Sequence, residues 1–171
     1  GLSFTRLWRS LDELAMLGLI RQINTRMFLT QAAGSSPIVT AFQAGSLHIN
    51  PVKPNTIAKS IAIGNPTDGY DALRVIRQSG GGACAVTDEE TMDAMKLLAQ
   101  TEGIFAEAAS GVVVGSLKKL VASGLIKRDE LTVAFITGAG PRTQEIVADI
   151  VQPLIVRPTI ESVEETLGAR I

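Results

Sequence analysis

Residues 131–136, Leu-Thr-Val-Ala-Phe-Ile, form an apolar run that ends in Thr137-Gly138-Ala139-Gly140. A run this short, closed by a glycine turn, predicts a strand covered on both faces, the pattern of parallel sheets. Two more strands are expected, at Met27–Ala32 and Ala83–Val86, with helical patterns between them. Strands alternating with helices imply an α/β fold, a parallel sheet flanked by helices and joined by crossovers. Three strands are few for so many helices, which points to further strands outside this chain.

The helices announce themselves by their ends. Ser3 can cap a helix whose apolar positions Phe4, Leu7, Trp8, Leu11 and Leu14 recur at helical spacing, and Gly18 can stop it. Ser36-Pro37 opens a second helix that runs towards Gly45. A short helix is expected over Thr56–Ala62, followed by the turn Ile63-Gly64-Asn65-Pro66, and Thr67 can cap another to about Gln78. Thr87-Asp88-Glu89-Glu90 is a capping box for a helix reaching about Gln100. Glu107–Ser123 reads as a helix rich in small residues, and two more are expected from about Thr143 and over Thr159–Leu167.

Composition removes whole classes of function. Of 171 residues 46% are hydrophobic and 19% charged, which argues for a packed core and against disorder. The net charge is −1 with Lys and Arg scattered, so no nucleic-acid footprint is present. Cys84 is the only cysteine, which excludes an internal disulfide and fits a reducing, cytoplasmic setting. No apolar run approaches the roughly 20 residues of a membrane span. The opening Gly-Leu-Ser-Phe-Thr-Arg-Leu-Trp lacks both an initiator Met and a signal-peptide pattern. The expectation is a single partial domain over 1–171, a piece of a longer protein.

Candidate sites are few. Thr137–Gly140 lies where a parallel strand would give way to a glycine turn, the usual place for ligands in open α/β sheets; a plain strand-to-helix turn is the alternative. A dinucleotide fingerprint fits less well, because the third glycine is missing. Gly80-Gly81-Gly82 follows a helix and precedes a strand, the reverse of a phosphate loop, and reads as a helix stop. Glu107 opens the small-residue helix, where a carboxylate suits the helix dipole without any catalytic role. His48, the sole histidine, has no metal-ligand neighbours, so neither a zinc site nor a Ser-His-Asp triad is expected.

Four stretches in order resemble one family. They are Thr56-Ile57-Ala58 with Ile63-Gly64-Asn65-Pro66; Ala85-Val86-Thr87-Asp88-Glu89-Glu90; Glu102 through Ser110; and Ile136-Thr137-Gly138-Ala139-Gly140-Pro141-Arg142-Thr143-Gln144. Together they resemble the second half of threonine synthase, a fold-type-II pyridoxal-phosphate enzyme of the tryptophan synthase β-like kind. The second and third stretches also resemble the related dehydratases and sulfur-amino-acid enzymes.

The resemblance implies pyridoxal 5'-phosphate as cofactor in the intact enzyme. It implies that Thr137 hydrogen-bonds the ring nitrogen, that Ser60 or its backbone faces the ring, and that Gly138, Gly64, Asn65 and Glu107 line the cofactor site. It also implies that the Schiff-base lysine and the glycine-rich phosphate loop precede Leu2, so no catalytic residue is expected within this chain. None of Lys53, Lys59, Lys96, Lys118, Lys119 and Lys127 aligns with that lysine. The implied partners are the missing N-terminal half, a small phosphorylated amino acid and, when intact, a second copy. The pattern departs from the family at Ala108, Ala139, Pro141 and Arg142, which leaves open a dehydratase-like or cysteate-synthase-like relative. The absent lysine leaves open a non-catalytic half-enzyme partner.

Overall fold

A computed structural model describes residues 1–148 and 154–168. Helix α1 (Leu2–Met16) leads to strand β1 (Phe28–Ala32), helix α2 (Pro37–Gln43), helix α3 (Gly69–Gln78) and strand β2 (Gly82–Val86). Helices α4 (Asp88–Glu102), α5 (Ala108–Ala122) and α6 (Ile160–Gly168) follow. The two strands pair in parallel, with Phe28 opposite Gly82 and Ala32 opposite Val86. Between them the chain crosses over through α2 and α3, as parallel pairing requires.

Alternation along the strands sends side chains to two faces, and each face has its own core. Leu29 joins Ile38, Val39, Leu73 and Ile76 on one side, with Ala83 and Ala85 packed against them. Ala32 and Val86 meet Ala58, Met95, Ala108 and Val112 on the other. On this second face α5 lies close against α4. Gly111 allows the approach, because an added Cβ there would press on the Thr91 carbonyl and the Met95 side chain.

Several ends fall where the residues demanded. Thr87 and Glu90 form the reciprocal cap of α4, with the Glu90 N–H donating to Thr87 Oγ1 at 3.2 Å and the Thr87 N–H donating to a Glu90 carboxylate oxygen at 2.8 Å. Gly18 and Gly80 take φ of +70° and +64° just beyond α1 and α3, the left-handed stop that glycine adopts without strain. Gly81 then packs against the Met27 carbonyl, leaving no room for a side chain. The triple glycine is therefore a helix stop.

Other expectations are corrected. Residues 131–136 pair with no strand among the described residues, and Leu131, Val133 and Phe135 are 97%, 72% and 52% exposed. An apolar strand needs a ladder neighbour to satisfy its amides, and neither β1 nor β2 supplies one. Thr56–Ala62 contains only the 3-10 turn Lys59–Ile61. Its amides are drawn out of a helix because Asp88 takes both the Thr56 hydroxyl, at 2.6 Å, and the Ile57 N–H, at 3.1 Å. The segment Gly140–Val147 is likewise a 3-10 turn, kinked at Thr143. Gly1 and Asp68, rather than Ser3 and Thr67, stand at the N-terminal ends of α1 and α3.

Candidate functional site

The turn Lys59–Ile61 is held from below. Ala58 is fully buried in the second core, Ile57 and Ile61 pack against that core, and Asp88 grips the preceding residues. With 57, 58 and 61 turned inward, Lys59 and Ser60 face outward. Ser60 Oγ donates to Glu107 Oε1 at 3.0 Å.

Glu107 stands immediately before α5 and is only 5% exposed. A buried carboxylate needs partners, and this one has them. Besides Ser60, Arg142 Nη1 lies 3.9 Å from Oε2. The Glu107 backbone N–H donates to the Gly138 carbonyl at 3.1 Å, and the Gly140 N–H donates to the Phe105 carbonyl at 3.0 Å. These bonds flank the antiparallel bridge between Ala106 and Ala139. Gly138, at φ +81°, leaves open the space that the Glu107 side chain fills, since an added Cβ would collide with the carboxylate. Ser110, from the first turn of α5, donates to the Thr137 carbonyl at 2.6 Å.

Ser60, Glu107, Thr137 and Gly138 are thus gathered into one constellation by three hydrogen bonds, Ser60 to Glu107, Glu107 to Gly138 and Ser110 to Thr137, with the Arg142 cation beside the Glu107 carboxylate. Gly64 and Asn65 lie further along the same loop. Gly64 is packed against the Val52 carbonyl and Pro54, and the Val52 N–H donates to its carbonyl at 3.0 Å, so its missing side chain serves the chain's own packing. Asn65 is exposed. Arg142 and Ser110 belong to the constellation although sequence reasoning gave them no role there. Their one-dimensional signals, a basic residue after a glycine turn and a serine in a small-residue helix, are too common to single out. His48 is on the surface, and no group of metal-ligating side chains occurs among the described residues.

The outward-facing groups here are the Ser60 and Thr137 hydroxyls and backbone, with the charged side chains of Lys59 and Arg142 beside them. Thr137 is exposed above a backbone fixed by Ser110 and Glu107. Neutral hydroxyls beside a glycine suit one edge of a flat heteroaromatic ring.

A parallel two-strand core with helices on both faces, carrying such a wall at its edge, fits the family whose model matches residues 7–138, described as pyridoxal-phosphate dependent enzyme. The chain belongs to this pyridoxal-phosphate-dependent family of fold-type-II enzymes. Within it, the chain is 45% identical over 139 residues to the threonine synthase of Methanocaldococcus jannaschii, a match covering 81% of this chain and 34% of that protein. It is 40% identical over 167 residues to the threonine synthase of Methanosarcina acetivorans, covering 96% of this chain and 41% of the relative. The chain therefore spans well under half the length of the curated relatives it matches. Among solved structures, threonine synthase from Escherichia coli superposes with a TM-score of 0.59 at 18% identity, over 82% of this chain and 32% of that one, a likeness of fold. The resemblance read from the four motifs is borne out.

Proposed function

We propose that the protein containing this chain converts O-phospho-L-homoserine and water to L-threonine and phosphate. The observation that carries this reading is the 40% identity to a threonine synthase across 96% of the chain. The cofactor, when bound, supplies an electron sink for bond breaking next to the amino group of the substrate. Thr137 would hold the ring nitrogen through its hydroxyl. A hydroxyl cannot hold that nitrogen protonated as a carboxylate would, so the sink is a weaker one and favours elimination and replacement over transamination. Ser60 and Gly138 line the ring edge, with Glu107 behind them and Gly64 and Asn65 in the adjoining turn.

The Schiff-base lysine and the phosphate-gripping loop come from sequence outside this chain. This chain then forms one wall of the site and part of the sheet, and the assembled enzyme is a homodimer. The test is to supply the full-length protein and pyridoxal phosphate with O-phospho-L-homoserine or, separately, with L-threonine. Equal release of phosphate and threonine from the first is the expected result. Ammonia from L-threonine, without phosphate release from the phosphate ester, would overturn the reading in favour of a dehydratase.

A further inference from the structure

Ser60 is exposed, yet its one proton is already committed. Its Oγ lies 3.0 Å from Oε1 of Glu107, which is itself 5% exposed and has Arg142 at 3.9 Å from its other oxygen. A carboxylate can accept a hydrogen bond but cannot donate one, so the hydroxyl is the donor in this pair. A serine hydroxyl has one proton and two lone pairs. What Ser60 turns towards the outside can therefore only accept.

Both partners are fixed in place. Asp88 pins the approach to the Ser60 turn through Thr56 and Ile57. The Glu107 backbone is bonded to Gly138, and its carboxylate occupies the volume that any side chain at 138 would need. Rotating the Ser60 proton outward would leave a buried carboxylate oxygen short of a donor, a costly arrangement.

We propose that Glu107 makes Ser60 an obligate hydrogen-bond acceptor, so that this hydroxyl selects a ligand group bearing an N–H or O–H. Glu107 is a positioning residue that acts through Ser60. The inference rests on reading this constellation as a wall of the cofactor and substrate site. The donor it recognises belongs either to the cofactor ring or to the amino-acid substrate.

The experiment uses the full-length enzyme with Ser60→Ala, Ser60→Thr, Glu107→Gln and the double variant Ser60→Ala/Glu107→Gln. Four quantities are read: the thermal midpoint, the Kd of the apoenzyme for pyridoxal phosphate, and kcat and KM for O-phospho-L-homoserine. Ser60→Thr keeps the hydroxyl and stays within about twofold of the parent, whereas Ser60→Ala loses about tenfold, the usual scale of one hydrogen bond. The loss falls on Kd if the donor is on the cofactor, or on KM at unchanged kcat if it is on the substrate. A glutamine can present its amide N–H to Ser60 and free the hydroxyl's direction, so Glu107→Gln weakens the same constant. The double variant then loses no more than Ser60→Ala alone, because the two act as one unit.

Unchanged Kd and KM in Ser60→Ala overturn the proposal, as do additive losses in the double variant. A full-length protein that binds pyridoxal phosphate but does not turn over O-phospho-L-homoserine overturns the reaction proposed above, and the Kd series then decides this inference by itself. A parent protein that binds no pyridoxal phosphate overturns both.

Discussion

Gly138 illustrates how much one missing methyl can decide. Its φ of +81° already disfavours any side chain, and the carboxylate of Glu107 fills the place a Cβ would take. Gly138→Ala therefore meets backbone strain and a collision with a buried, partnered group. The expected loss is about 1–3 kcal/mol in urea unfolding, together with weaker cofactor retention, since Ser60 and Glu107 must shift. An unchanged unfolding midpoint would contradict the close approach. A second residue carries a pH signature. The Thr87 backbone N–H, and after it Lys119 at 2.9 Å, hold the Glu90 carboxyl below its ordinary 4.5. The folded group thus binds a proton less readily than the unfolded one. Its contribution is fully present above pH 4.5 and is lost as pH falls through the lower folded value. Glu90→Gln should be less stable than the parent near neutrality, and the gap should close as pH falls below 4.5, measured by urea midpoints across that range. A gap that widens in acid would contradict this assignment.

At the scale of elements, the sequence was most readable where a local chemical demand has a local answer. The capping box at Thr87 and Glu90 and the glycine stops at Gly18 and Gly80 each satisfy groups within a few residues, so one dimension suffices. Strands β1 and β2 were legible for a related reason: each is a short segment with buried apolar positions, Leu29 and Ala32 in one and Val86 in the other, and the partner lies within the chain. Residues 131–136 carry the same kind of pattern and form no ladder, because periodicity reports what a segment can bury and is silent about what is present to bury it. The turn at Lys59–Ile61 was misread as a longer helix because the competitor, Asp88, is some thirty positions away in sequence. Of the candidate site, the local pattern singled out Thr137–Gly140, whereas Ser60, Gly64 and Asn65 came only through resemblance. Nothing in the local pattern joins Ser60 or Arg142 to Glu107: the first link is a side-chain hydrogen bond across 47 positions, and the second follows from the bridge between Ala106 and Ala139. These contrasts carry a prediction. The amides of 131–136 should exchange at nearly unprotected rates in the 171-residue chain alone and become protected in the full-length protein, read by hydrogen exchange with mass spectrometry. Protection in the isolated chain would show that the ladder forms without further sequence.

At the scale of the molecule, the division of labour follows from what each face has to bury. The two cores close around β1 and β2, so the wall bearing Ser60, Glu107 and Gly138 has a framework within the chain. The apolar side chains of Leu131, Val133 and Phe135 have no such cover. A chain that spans 34% and 41% of two threonine synthases has, in those relatives, a larger remainder available to cover them. On the proposed function, cover and chemistry would be supplied together, since that remainder is also where the lysine and the phosphate loop are expected. The 171-residue chain by itself should form no threonine from O-phospho-L-homoserine, and it should self-associate as its concentration rises, because exposed apolar segments find one another. Adding the separately produced remainder of the full-length protein should do two things in parallel: dissolve the self-association, seen by light scattering, and restore phosphate release. Restoration of one without the other would separate the packing role of residues 131–136 from the assembly of the site. Threonine formation by the isolated chain would overturn the division altogether.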